Sequence, residues 1–265
     1  MGYIRYENKE GVGLVTFSRP EALNALSPAG IEESLRFFED LGGKLCGEEP
    51  PPLKAVVLTG AGKAFIAGAD VKEMSGMSPQ QASAFSAQGN RLMNLIERLP
   101  VPVIAAVNGY ALGGGFEIAL AADFLYAASG AKLGLPEVTL GIIPGFGGVR
   151  RLCRRIGVAR AKELVFTGRL VTAEEAFQLG IANRLAAPEA LLDQALQTAA
   201  LIGSAAPAAV RAAKRHAEEC LLLDAETAAT AEAERFGALF AGAEPAEGMA
   251  ALLEKRKPVW AQKEG

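Results

Sequence analysis

VIAAVNGYALGGGFE, residues 103–117, joins three kinds of local pattern in fifteen positions. Val103 to Val107 is a short apolar run of the kind that fills a fully buried strand. Asn108-Gly109 is a turn signal, and Gly113-Gly114-Gly115 precedes a segment with helical character. A buried strand passing through glycines into a helix is the unit from which α/β folds are built. The N–H groups and dipole of such a helix start favour an anion, and glycine lets a ligand approach the backbone. Glu117 follows Gly114 by three residues, about one helical turn, so its carboxyl group can lie beside whatever the Gly114 N–H binds. Tight packing through small residues, with Glu117 solvated or satisfying the dipole, explains the same pattern.

Working outward, residues 3–7 and 12–17 are strand candidates around Lys9-Glu10-Gly11. Ser27-Pro28 opens a helix with Ile31, Leu35, Phe38, Leu41 and Leu45 on one face. LKAVVLT, residues 53–59, is a second buried strand. Ser78-Pro79-Gln80-Gln81 and Thr172-Ala173-Glu174-Glu175 are capping boxes. The first of these starts a helix running to about Leu99. A strand near 124–128, a loop carrying Pro136-Glu137 and a helix from about 147 follow. From about 188 the sequence is rich in Ala, Leu and Glu, with helical stretches near 188–203, 207–222, 224–240 and 246–256. The expected division is an α/β core over 1–190 and a helical region over 191–265.

Composition narrows the chemistry. In 265 residues, 27 Lys and Arg oppose 30 Asp and Glu, a net charge of −3, and half the residues are hydrophobic. No global field draws in nucleic acid or an anionic membrane. Size scaling predicts a folded surface of roughly 11,000 Å², with on the order of 70% of the extended chain's surface buried. Cys46, Cys153 and Cys220 match no zinc spacing and leave an odd number, which fits a reducing, cytoplasmic setting. Residues 99–116 are the most lipid-like stretch, but two prolines and an asparagine interrupt it before Glu117. The opening residues carry no apolar signal core.

One histidine, His216, lies in a polar helical stretch and reads as a solvated residue, so a histidine-based triad would depend on it alone. No G-x-S-x-G, dinucleotide fingerprint or P-loop is present. Acid–base work falls to carboxylates. The turn KAFIAGADVK (63–72) and the segment LPEV (135–138) add backbone donors and a second acid, Glu137. Backbone donors beside two glutamates suit a substrate whose carbonyl oxygen gains negative charge while a proton moves at a neighbouring carbon.

KAFIAGADVKEM (63–74), AVNGYALGGGFE (106–117) and GLPEVTLGIIPGFGG (134–148) resemble the diagnostic segments of the enoyl-CoA hydratase/isomerase, or crotonase, family. RPEALNAL (19–26), FTGRLVTAEEAFQLGIAN (166–183) and EKRKPVW (254–260) add weaker likenesses, so the resemblance spans nearly the whole chain. It implies a core of repeated ββα units with a C-terminal helical region that packs homotrimers, often paired into hexamers. It implies that the N–H groups of Ala69 and Gly114 hold an acyl-CoA thioester oxygen. Glu117 and Glu137 would then hold one water between them and hydrate a 2-trans-enoyl-CoA to the 3-hydroxyacyl-CoA. Ala67, Ala69, Asp70, Val71 and Lys72 fall along the CoA moiety, with Ala22 and Leu23 near its pantetheine; Lys255 or Lys257 would come from a neighbouring subunit. No metal or redox cofactor is implied, since CoA is part of the substrate. Phe116 stands where relatives often carry a smaller residue, which is expected to alter packing or acyl-pocket width. Two alternatives remain within the family. One is a Δ3,Δ2-enoyl-CoA isomerase using one acid. The other is the RNA-binding branch, against which helix 31–45 carries four acids and two bases; residues 149–162, with six bases and no acid, offer a basic stripe or a subunit contact.

Overall fold

Glu10 and Gly11, at φ of 51° and 85°, close strands β1 (Ile4–Lys9) and β2 (Val12–Phe17) into an antiparallel hairpin. The computed structural model describes residues 2–47 and 53–261. After the hairpin, Ser27 accepts the Gly30 N–H and caps helix α1 (Pro28–Cys46), which buries the five apolar residues expected of it.

Three units then repeat one plan. Strands β3 (Ala55–Gly60) and β4 (Ala64–Ile66) lead into helices α2 (Val71–Met74) and α3 (Pro79–Glu97). Strands β5 (Val103–Val107) and β6 (Tyr110–Leu112) lead into helix α4 (Gly114–Ala121). Strands β7 (Phe124–Ala128) and β8 (Lys132–Gly134) lead through a 3-10 turn at Glu137–Leu140 into helices α5 (Gly148–Ile156) and α6 (Val158–Thr167). Strand β9 (Val171–Thr172), helix α7 (Ala173–Gln178), strand β10 (Arg184–Ala186) and helices α8 (Leu191–Ile202), α9 (Pro207–Glu219), α10 (Ala225–Leu239) and α11 (Glu244–Leu253) complete the chain.

The first strand of each unit enters a six-stranded sheet of order β1-β2-β3-β5-β7-β10, parallel except for the opening hairpin. The second strand enters a small sheet of order β4-β6-β8-β9, in which β4, β6 and β8 run parallel. The repeated ββα plan is therefore present as expected. Strands β4, β6 and β8 have three residues each, too short for any periodicity to reveal. Yet their carboxyl ends lie side by side, where parallel α/β sheets place their ligands.

The main core lies between the large sheet and helices α1, α3 and α4, with Phe17, Phe38, Phe65 and Phe116 fully buried. Truncating one of these to Ala costs about 3–5 kcal/mol. A second apolar layer covers the opposite face, where Leu191, Ala195 and Ala199 of α8 pack on Val12, Val57 and Ile104. Helix α8 thus packs on the sheet, whereas α9 and α10, which follow from Pro207, have no buried residue. The second capping box is half made. Thr172 accepts the Glu175 N–H, but the Glu175 carboxylate pairs with Arg169 at 2.8 Å.

Candidate active site

The three units deliver their chemistry at equivalent places, just beyond the ends of β4, β6 and β8: Ala69, Gly114 with Glu117, and Glu137. Ala69 lies opposite Leu26 in an isolated parallel bridge. Leu26 donates to Gly68 O at 2.8 Å and accepts from the Asp70 N–H at 2.9 Å, so the amide of Ala69 itself points away from Leu26. Gly114 is the first residue of α4, where an N–H has no intrahelical acceptor. Among the described residues, neither amide has an acceptor, and both residues line one cavity of about 610 Å³.

The three glycines before Phe116 have separate tasks. Gly113, at φ 49°, spends its N–H on Gly134 O at 2.9 Å, and a Cβ there would stand 2.8 Å from Glu137 Oε1. Gly114 keeps its N–H open. Gly115 packs on the backbone of β4, where a Cβ would meet Ile66 O at 2.0 Å.

Glu117 is 1% exposed, one turn into α4. Its Oε1 accepts the N–H of Phe146 at 2.8 Å and of Gly148 at 2.7 Å. Burial pushes its pKa up to about 7; the field of Glu137 adds to the rise, and the two amides and Arg151 oppose it. Glu137 opens the 3-10 turn and is also buried. Its Oε2 has no hydrogen-bond partner, and burial raises its pKa as well. Both glutamates line the same cavity as the two open amides. Apolar side chains form most of the remaining wall, among them Val71, Met74, Phe85, Ile142 and Phe146. Among the described residues no cluster of His, Cys, Asp or Glu is placed to hold a metal ion.

Of the residues singled out in the sequence, Ala67, Ala69, Val71, Gly114, Glu117 and Glu137 line this cavity; Ala22, Leu23, Asp70 and Lys72 do not. The Asp70 carboxylate turns to Arg19 at 3.0 Å, tying the 63–72 turn to the segment before α1. Leu23 sits in a left-handed conformation, 43% exposed, and its carbonyl accepts the Ala67 N–H. Lys72 is exposed on α2. Phe116 faces the core, not the cavity, so the expected effect on pocket width passes to Phe146 and Phe85, whose rings meet edge to face at 5.3 Å.

The basic stretch also resolves differently from a stripe. Gly157, at φ 80°, divides it between α5 and α6. Arg150, Arg151 and Arg154 converge on Glu97, and Arg155 donates to the carbonyls of Ala122, Asp123 and Ile181. Four of its six bases are thereby held within the fold. His216 bridges Arg235 and Glu232 between α9 and α10, outside this cavity. Sequence reasoning missed Asn24, which is fully buried at φ 59° and donates to the carbonyls of Ala61, Ala64 and Phe65 beneath the turn. It also missed the clamp of Phe146 and Gly148 on Glu117; the glycine pair of PGFGG was the available signal.

A family profile described as Enoyl-CoA hydratase/isomerase matches residues 7–263. A protein of Syntrophomonas wolfei named crotonyl-CoA hydratase is 42% identical over 252 residues, 95% of each chain. One of Clostridium acetobutylicum named short-chain-enoyl-CoA hydratase is 43% identical over 251 residues, 94% of each chain. A crystal structure of an enoyl-CoA hydratase from Bacillus anthracis superposes with a TM-score of 0.92 at 39% identity, covering 98% of this chain and 100% of that one.

Proposed function

The chain belongs to the enoyl-CoA hydratase/isomerase family, and from that premise we propose that it hydrates short 2-trans-enoyl-CoA thioesters reversibly to 3-hydroxyacyl-CoA, in fatty-acid or related acyl-CoA breakdown. One observation carries this reading: two amides without acceptors and two buried glutamates open into a single cavity.

The thioester oxygen accepts the N–H groups of Ala69 and Gly114, the second at the positive end of α4. This polarises the conjugated system and makes C3 electrophilic. Charge grows on that oxygen as water adds, so the donors bind the transition state more strongly than the substrate. Glu117, whose Oε1 is engaged by two amides that favour its ionised form, takes a proton from the water through Oε2. The water oxygen bonds to C3. Glu137, buried with Oε2 unpartnered and so biased toward its protonated form, gives a proton to C2. One proton enters the pair and one leaves it, and exchange with solvent resets both acids. Close carboxylates resist double ionisation, which supports a pair holding one proton near neutral pH.

Ala67 and Val71 are assigned to the CoA path inside the cavity. Ala22, Leu23, Asp70 and Lys72, which do not line the cavity, are assigned to the part of CoA that lies beyond it; the Asp70 carboxylate is paired with Arg19. A homotrimer or dimer of trimers is supported by the accessible surface of 13,665 Å², roughly a quarter above the size-scaling value for a monomer. Free thiols at Cys46, Cys153 and Cys220 support a cytoplasmic site of action. No helix among the described residues is long and apolar enough to cross a membrane.

Crotonyl-CoA offered to the purified chain tests the reading through loss of the conjugated-thioester absorbance. Turnover in the wild type with loss in both Glu117→Gln and Glu137→Gln is expected. Double-bond migration in a 3-enoyl-CoA that survives Glu137→Gln would instead assign an isomerase.

A further inference from the structure

Glu117 depends on a loop, and the loop depends on groups on its far side. Peptide 145–146 presents its carbonyl to α3, where Gly145 O accepts Ser86 Oγ at 2.6 Å and Asn90 Nδ2 at 2.7 Å. Its N–H, that of Phe146, donates to Glu117 Oε1 at 2.8 Å. A trans peptide is planar with C=O and N–H opposed, so fixing one end aims the other. The next carbonyl, Phe146 O, accepts Arg151 Nη1 at 3.1 Å, between the two amides that bind Glu117.

Arg151 is itself immobilised. It is 4% exposed, with Nη2 on Glu97 Oε2 at 2.6 Å and on Asn94 Oδ1 at 3.0 Å, and Nε on Glu97 Oε2 at 3.2 Å. The Glu97 carboxylate, held below its ordinary range by Arg151, Arg150 and Arg154 despite its burial, anchors the guanidinium in turn.

On the reading of Glu117 as the base, we infer that Ser86, Asn90 and Arg151 are positioning residues that aim the 145–148 amides at Glu117 and thereby set its proton affinity and orientation. Hydrogen bonds in series polarise one another, so the donors to Gly145 O strengthen the Phe146 N–H of the same peptide, while Arg151 on Phe146 O holds the intervening peptide 146–147 and with it the spacing of the two amides. The charged groups whose fields reach Glu117 are Glu137, which opposes ionisation, and Arg151, which favours it. Loss of Arg151 removes both the favourable charge and one fastening of the loop. Asn90 and Arg151 lie outside the cavity and act through the backbone; Ser86 lines the cavity wall, and its hydroxyl is committed to Gly145 O.

The experiment compares Arg151→Gln, Arg151→Lys and Ser86→Ala with the wild type, by pH profiles of crotonyl-CoA hydration and by infrared titration of the Glu117 carboxyl, using Glu117→Gln as the difference reference. In Arg151→Gln, kcat is expected to fall about 10- to 100-fold with KM within about twofold, as for a small misplacement of a catalytic group. Its acid limb and the infrared midpoint should move up by about one pH unit, since one unit is the tenfold change in proton affinity expected from losing a nearby charge. Arg151→Lys should recover most of the pH shift by keeping the charge, with less of kcat because the fork is lost. Ser86→Ala, which leaves every charge in place, should move both readouts the same way by a smaller amount, and it keeps the test intact if Arg151→Gln does not fold. Variants that lose only thermal stability, with pH profile and infrared midpoint unmoved, would overturn the inference. An inactive wild type whose infrared midpoint still shifts in Arg151→Gln would sustain the relay while removing the hydratase reading.

Discussion

Helix α4 and helix α10 both carry alanines and glutamate, but they live in opposite surroundings. All eight residues of α4 are buried, including Glu117; none of the fifteen in α10 is. α4 holds its charged group within a closed set of partners from the 146–148 loop. α10 is stabilised at its start by Asp224 accepting the Glu226 and Thr227 N–H groups, and against α9 by pairing of Arg235 with Glu219. Its neighbourhood leaves Leu221, Leu222, Phe236, Phe240, Leu252 and Leu253 more than half exposed. The comparison teaches that this chain gathers its candidate catalytic groups within its own core, while the stretch of its last three helices keeps apolar area that this core does not cover. Patches of that kind mark contact surfaces.

The largest effect that can break this picture is on turnover. Replacing Glu117 or Glu137 by Gln is expected to lower kcat about 10³-fold, with the double variant little worse than either single one, because the acids act as a unit. Strictly multiplicative losses would separate the two roles. Gly113→Ala comes next. It puts a methyl group against Glu137 Oε1 at a φ that L-residues resist, and should cost about 10²-fold in kcat/KM through misplacement of that acid.

A stability measurement sharpens the same contrast. The Glu117 pKa rises from 4.5 in the unfolded chain to about 7 in the fold, so the folded state binds the extra proton between those values. Stability from this group is therefore full below about pH 4.5 and lost as pH rises through 7. Glu117→Gln should be more stable than wild type at pH 8 by on the order of 2 kcal/mol, an advantage that vanishes at low pH in denaturant titrations. A constant difference across pH would show that Glu117 does not titrate in this range. On the other side of the comparison, Phe236→Ser with Leu252→Ser should reduce the assembly seen by sedimentation and lower stability by about 1–2 kcal/mol per site. An unchanged mass would leave those faces without a partner of the same chain.

Much of this was legible along the chain. The buried strands, the caps at Ser27 and Ser78, and the glycines before Glu117 are local signals, and each produced its expected element. Strands β4, β6 and β8 gave none, because three residues carry no period and are held in place by their neighbours in the small sheet. The partner of the Asp70 carboxylate, Arg19, lies 51 residues earlier, beyond the reach of any local pattern. Phe116, next to Glu117 in sequence, points into the core because adjacent helix positions diverge by about 100°.

The sequence by itself determined which groups exist and the local frame of each: an open helix N-terminus at Gly114 with an acid one turn on, a second small-residue turn at Ala69, and an acid at 137. Only the tertiary structure decided that these three share a cavity, that Glu117 is clamped by amides 29 and 31 residues away, and that the arginines of α5 serve Glu97 and the loop. The physical reason is range. Helix capping, turn formation and periodicity are settled within a few residues, whereas burial, shared fields and amide clamps depend on what another part of the chain brings alongside.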